Sequence, residues 1–168
     1  MGTRGNEDLY ALAGKVGRQM QDRGCRLVTA ESCTGGWIAQ CVTSIPGSSR
    51  WFERGFVTYS NESKQELLGV PAEVIATRGA VSAETVAAMV GGALAHSRAD
   101  CAVAVSGIAG PDGGSPDKPV GTVWLAWQLR GAAPVTRCFR FEGDRESVRR
   151  QAVMAALEGL IDVCTGSS

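Results

Sequence analysis

A hydroxyl, a thiol and a glycine pair sit together in Thr29-Ala30-Glu31-Ser32-Cys33-Thr34-Gly35-Gly36, between an apolar segment and a helical pattern that begins at Trp37. A strand turning into a helix here would present Ser32 to a substrate. The unpaired first N–H groups of the helix, with its dipole, favour an anion or a developing oxyanion. The main-chain groups around Thr34, Gly35 and Gly36 are the candidate donors. The same residues also suit a Ser/Thr-capped helix start with glycines for packing. Cys33 is a second candidate nucleophile, since a helix N-terminus lowers a thiol pKa. If Ser32 points outward from the turn, its neighbour points elsewhere, and Cys33 is then a buried thiol.

A serine needs a base. The one histidine, His96, falls at the end of a helical pattern far from any glycine turn and reads as a helix-end residue. Lysine is the alternative, and the chain has Lys15, Lys64 and Lys118. Lys15 lies on the first helical pattern, where it is solvated, and Lys118 lies in a long loop. Lys64 closes Val57-Thr58-Tyr59-Ser60-Asn61-Glu62-Ser63-Lys64, just past a strand end. Strand ends on one edge of an α/β sheet gather functional loops, and a desolvated lysine can lose its proton near neutral pH. Tyr59 could hold or relay a proton beside it. Equally, Lys64 could pair with Glu62 or Glu66 on an exposed helix, with Tyr59 at the edge of the core.

Three further segments offer binding groups. The loop Ser106-Gly107-Ile108-Ala109-Gly110-Pro111-Asp112-Gly113-Gly114 allows close backbone approach to a ligand, with Ser106, Gly107 and Gly110 as candidates, or else it is a mobile connection. It matches neither the P-loop nor the dinucleotide fingerprint. Arg145 and Arg149 are four apart at the start of the last helical pattern and could clamp a phosphate, or form a salt-bridged helix start. Ser48, in Pro46-Gly47-Ser48-Ser49, could donate to the site or sit in an ordinary turn.

The elements that must position these groups follow from periodicity. Helices are expected over Glu7–Arg23, Gly35–Thr43, Asn61–Leu68 and Ser82–Ser97, with another short one opening at Pro71 and a last one starting near Gly143-Asp144. Strands are expected over Arg26–Ala30, Trp51–Tyr59 and Cys101–Val105, the last apolar throughout and so covered on both faces. Gly121–Leu129 and Val135–Phe141 read as an antiparallel pair, and Thr165–Ser168 as a frayed tail. The alternation predicts one α/β domain over residues 1–168, with a mixed sheet, no internal repeat and no linker.

The 168 residues are 44% apolar, enough for a core. Seventeen basic residues balance 17 acidic ones, and no cluster of Lys and Arg carries interleaved aromatics, which argues against a nucleic-acid surface. No apolar run approaches the roughly 20 residues of a membrane span, and Met1–Asp8 lacks the apolar region of a signal peptide, so a cytoplasmic location is expected. The six cysteines are scattered without a C-x-x-C pair and read as reduced thiols rather than a metal site.

Taken in order, A-E-S-C-T-G-G, W-F-x-R-G-F-V-T-Y-S-N-x-x-K, G-A-V-S, S-G-I-A-G-P-D-G-G, K-P-V-G-T-V-W and G-D-R-x-x-V-R-R resemble the CinA C-terminal domain family, from about Leu9 to Cys164. Stand-alone members of that family are nicotinamide-nucleotide amidases. The resemblance implies a three-layer αβα sandwich with a mixed, mostly parallel sheet, and no N-terminal competence-protein domain. It implies hydrolysis of the carboxamide of nicotinamide mononucleotide to nicotinate mononucleotide and ammonia, with no metal or organic cofactor. Carried over by position, Ser32 is the nucleophile, Lys64 the base and Tyr59 its partner. Arg145 and Arg149 are then assigned to the 5′-phosphate, and the Ser106–Gly114 loop to the ribose or ring. The expected partner is a small nucleotide, and a homodimer is expected from size and enzyme class.

Two rival readings fit the residues less well. Short-chain dehydrogenases also order Ser, Tyr and Lys, but with Tyr and Lys four apart on one helical face. Tyr59 and Lys64 are five apart, rotated by about 140° on a helix, and no glycine fingerprint accompanies them. A non-catalytic nucleotide-binding regulatory module would have no need of the intact Ser32, Tyr59 and Lys64.

Overall fold

The computed structural model describes residues 5–165. The tail expected from Thr165 onward therefore lies, beyond that residue, outside the described part. Five strands form one sheet: β1 (Leu27–Glu31), β2 (Phe52–Val57), β3 (Cys101–Gly107), β4 (Thr122–Leu129) and β5 (Val135–Arg140), in the order β2-β1-β3-β4-β5. β1 pairs in parallel with β2 and β3, whereas β4 is antiparallel to both β3 and β5. Four strands thus share one direction and only β4 opposes them, which is the mixed, mostly parallel sheet expected.

Helices cover both faces because β1, β3 and β4 are apolar on both. Leu27, Cys101, Val103, Val105, Val123 and Leu125 join the core built by α1 (Glu7–Arg23), α2 (Trp37–Thr43) and α6 (Arg145–Thr165). Their neighbours Val28, Ala30, Ala102, Ala104 and Ala126 join the opposite core, under α3 (Asn61–Leu68), α4 (Ala72–Arg78) and α5 (Ala83–Ala95). This is the period-2 alternation of a sheet buried on both sides. The alanines on the second face let α5 lie close to the sheet. Gly92 likewise lets α5 touch the end of α3, where an added Cβ would fall 1.8 Å from the Leu68 carbonyl oxygen.

Local chemistry sets the element ends. α1 stops at Gly24, which is left-handed at φ 63°. Ser60 Oγ accepts from Ser63 N at 3.0 Å and Ser82 Oγ from Thr85 N at 3.1 Å, capping α3 and α5. α2 begins at Trp37 rather than at Gly35, because Gly35 and Gly36 have φ of 61° and 103° and make a turn that leaves the strand before the helix can start. β1 runs one residue later than expected, ending at Glu31, which places that side chain under α2.

The topology gathers the functional segments. β1, β2 and β3 end on the same edge, and β1 and β3 lead away in opposite directions, to β2 and β4. Crevices in α/β sheets form at such a switch point. β5 runs parallel to β3, so its end delivers the start of α6 to this edge as well. Among the described residues no helix is long and apolar enough to cross a membrane.

Candidate active site

Ser32 is the first residue beyond β1. Its N–H donates to Val105 O at 3.1 Å, holding it beside β3, and its carbonyl accepts from Gly35 N at 3.0 Å, closing the turn. Glu31 anchors this turn from beneath. Its carboxylate accepts from Thr34 Oγ1 at 2.6 Å, Ile38 N at 2.8 Å and Ala39 N at 3.1 Å. Burial pushes the Glu31 carboxyl above its usual range, opposed by these hydrogen bonds. The first donors of α2 are thereby occupied by the protein itself.

Lys64 enters from α3. It is 1% exposed, and its Nζ lies 3.1 Å from Ser32 Oγ, 2.9 Å from Thr58 O and 3.3 Å from Tyr59 O. These three contacts use the three donor directions of an ammonium. No carboxylate among the described residues pairs with it, and burial lowers its pKa below the ordinary 10.5 of lysine. A neutral amine at this distance can take the Ser32 proton. Cys33 is buried and its thiol is pushed up to about 12 by burial first and by the Glu31 charge second, so it stays protonated at neutral pH.

The cleft above the pair has a volume of about 270 Å³. The buried Ser32, Lys64 and Ser106 line it together with Gly107, Asn61, Ala80, Val81, Ile108–Gly110, Asp112 and Gly113, and the exposed Tyr59 and Arg145 stand at its mouth. The glycine-rich loop is pinned at its base, where Ile108 N donates to Thr122 O at 2.9 Å and Gly121 N to Ile108 O at 2.8 Å. Lys118 Nζ ties its far side to Arg78 O at 2.6 Å. Arg145 bridges the cleft, donating to Gly110 O at 2.8 Å and to the Tyr59 hydroxyl at 3.1 Å.

Several assigned residues are placed differently from the expectation. Arg149 does not join Arg145 at the cleft. One helical turn further along α6, it reaches the back of the nucleophile turn, donating to Cys33 O at 3.0 Å and Thr34 O at 3.3 Å, with its guanidinium 5.6 Å from the Trp37 ring centroid. Thr34 O also accepts from Trp37 N at 3.1 Å, so the guanidinium adds a second donor there and supplies one to Cys33 O. Tyr59 touches Lys64 through its main-chain carbonyl, while its hydroxyl, on a side chain of a residue 62% exposed, meets Arg145 instead of standing between Lys64 and Ser32. The Gly35 N–H is taken by Ser32 O, and the Gly36 N–H faces Glu31. Neither the Cys33 nor the Thr34 N–H is taken up by a carbonyl or carboxylate oxygen among the described residues. Ser48 lies in a 3-10 turn that precedes β2, at the sheet edge opposite the cleft. His96 caps α5, its Nδ1 2.8 Å from Gly92 O.

Glu31, Asn61, Ala80 and Val81 were not singled out from the sequence. For Ala80 and Val81 the G-A-V-S segment was a signal. Asn61 lies inside the Val57–Lys64 segment that ends at the base. Nothing in the sequence marked Glu31 as the anchor, because the shift of β1 by one residue decides it.

Fold and site define a three-layer α/β protein with a buried serine–lysine pair at the C-terminal edge of its parallel strands. The chain belongs to the CinA C-terminal domain family, whose model matches residues 9–164. It is 54% identical over 155 residues to the nicotinamide-nucleotide amidohydrolase PncC of Escherichia coli (strain K12), covering 92% of this chain and 94% of that protein. It is 55% identical over 159 residues to the protein of the same name from Pseudomonas putida, covering 95% and 99%. A crystal structure of the competence/damage inducible protein CihA from Agrobacterium tumefaciens superposes with a TM-score of 0.91 at 46% identity, covering 93% of this chain and 95% of that one.

Proposed function

We propose that this protein hydrolyses the carboxamide of nicotinamide mononucleotide, giving nicotinate mononucleotide and ammonia. The 3.1 Å contact between the buried Lys64 amine and Ser32 Oγ carries the reading, since it joins a nucleophile to a base that burial favours in its neutral form. The relatives named nicotinamide-nucleotide amidohydrolase, similar over nearly their whole length, support the substrate.

Lys64 takes the Ser32 proton as Oγ attacks the amide carbon. The oxyanion is received by the Cys33 and Thr34 N–H groups, which no carbonyl or carboxylate oxygen of the described residues takes up. Removing one such donor typically costs about 10²–10³ in rate. Glu31 from below and Arg149 from behind hold the turn in place. The proton held by Lys64 is returned as ammonia departs, leaving an ester on Ser32. Water, losing a proton to Lys64, then releases the acid. Arg145 is assigned to the phosphate and the Ile108–Gly113 segment to the ribose or ring, both at the mouth of the cleft. The enzyme acts on a small nucleotide in the cytoplasm and needs no added cofactor.

Incubation with nicotinamide mononucleotide, with mass detection of the product, tests the assignment. A gain of one mass unit together with stoichiometric ammonia is expected. Unchanged nucleotide after prolonged incubation, or cleavage of the glycosidic bond instead, would reject it.

A further inference from the structure

Ser32 is not the only hydroxyl on the floor of the cleft. β1 and β3 pair in parallel with Glu31 opposite Val105, and Ser32 N donates to Val105 O, so Ser106 occupies the next position on β3 beside Ser32. Adjacent strands are about 4.8 Å apart, and paired residues of parallel strands point to the same face. That face is the one carrying Ala30 and Ala104, over which α3 brings Lys64. The nucleophile is thus flanked by an amine from the β2 side and by a hydroxyl on the β3 side.

The state of that hydroxyl sets it apart. Ser106 is 2% exposed and lines the cleft. The hydroxyls of Thr34, Ser82, Thr85 and Thr122 are all engaged with protein acceptors. The Ser106 hydroxyl makes no hydrogen bond among the described residues, and unlike the enclosed Thr29 and Thr58 oxygens it is not sealed away from the cavity. A buried hydroxyl that opens only into a reaction cleft is free for a ligand.

The substrate's shape decides which atom meets it. The nucleotide is bulky and must lie toward the open mouth, where Tyr59 and Arg145 stand. Only the small carboxamide can reach the floor. With its oxygen in the Cys33–Thr34 turn, its nitrogen points across the floor. On the β2 side Lys64 is already committed to Thr58 O and Tyr59 O. On the β3 side Ser106 is unengaged.

We propose that Ser106 is a catalytic residue that holds the carboxamide nitrogen and protonates it as it leaves, a step that rests on the amidase reading above. Before attack, Ser106 Oγ accepts one N–H of the amide. Ser32 Oγ then bonds to the carbon while its proton moves to Lys64. On collapse the C–N bond breaks, the Ser106 Oγ–H proton passes to nitrogen and ammonia departs. Once Ser32 Oγ is an ester oxygen it is a poor acceptor, so the Lys64 ammonium turns to Ser106 and restores its proton. Serine and lysine end this half-reaction with Ser106 neutral and Lys64 a free amine, ready to activate water.

The test compares two leaving groups in the wild type and in Ser106→Ala. One substrate is nicotinamide mononucleotide. The other is the S-methyl thioester of nicotinate mononucleotide, whose thiolate leaves without a proton. General-acid catalysis is worth about 10²–10⁴ in rate. Ser106→Ala is therefore expected to lose about 100-fold or more in kcat on the amide, with thioester turnover within about threefold of wild type. The thioester also reports that the variant is folded. Equal loss on both substrates, or an unchanged amide rate, would overturn the assignment to Ser106 while leaving the amidase reading intact. A wild type that turns over the thioester but never the amide would remove the amidase reading, and this step with it.

Discussion

Lys64 Nζ and Ser32 Oγ, 32 residues apart in the chain, meet at 3.1 Å beneath the surface, with no carboxylate of the described residues paired to the amine. α3 achieves this by starting right after β2, where the Ser60 cap sets its first turn and Lys64 points back over the end of β1. The amine rests on two main-chain carbonyls, whose partial charges steer it without fixing its proton as a carboxylate would.

Lys64 should therefore show a trade between activity and stability. Burial disfavours its ammonium, so its folded-state pKa lies below 10.5 while the unfolded chain keeps the ordinary value. The unfolded state binds the proton more tightly, and stability from this group is full above pH 10.5 and is lost as pH falls through the folded value. At neutral pH, Lys64→Met should abolish turnover yet raise Tm, by about 2–4 °C for each kcal/mol of relieved penalty. Lys64→Arg, which keeps its charge, should be both inactive and less stable. In the wild type, kcat/KM should rise with pH along an acid limb whose midpoint lies below 10.5. Calorimetry and a pH–rate profile check both. A Lys64→Met protein with lower Tm than wild type contradicts the buried-amine account.

Glu31→Gln should act through hydrogen-bond polarity. One carboxylate oxygen accepts from Thr34 and Ile38, and the other from Ala39. A glutamine NH₂ facing the Ala39 N–H sets donor against donor, a loss of about 1–3 kcal/mol. Thermal denaturation should show it, with kcat falling more than KM rises. Unaltered Tm would mean the carboxyl is protonated in the folded chain.

The two arginines of α6 should separate kinetically. Arg145→Ala should raise KM for nicotinamide mononucleotide about tenfold or more, and much less for nicotinamide riboside, which lacks the phosphate. Arg149→Ala releases the carbonyl of Cys33 and leaves that of Thr34 with Trp37 N alone. It should lower kcat about 100-fold with KM little changed, as misplacing a nucleophile does. Matching effects of both variants on KM would place Arg149 at the phosphate after all.

The core was legible because residues such as Cys101–Val105 are apolar at every position and α5 and α6 keep their buried stripes. Ser32 and Lys64 could be singled out because each follows a strand end, and strand ends on one edge converge. Which edge a turn occupies is a tertiary property, so Ser48 could not be distinguished from the cleft-lining segments. Helical spacing put Arg145 and Arg149 on one face, but side chains this long reach different targets from adjacent turns. Glu31 was hidden by a one-residue shift of β1. The Gly35 and Gly36 amides were natural oxyanion donors until Ser32 O and Glu31 were found to occupy them.

Activation of Ser32 is the centre of this account, and the variant lacking only its oxygen tests it most directly. Wild type and Ser32→Ala should be compared for ammonia release from nicotinamide mononucleotide and, in parallel, for calorimetric binding of the same nucleotide. Turnover is expected to fall by at least about 10⁴-fold while the dissociation constant stays within about threefold. Ammonia release from Ser32→Ala at a rate comparable to wild type would contradict the mechanism at its first step.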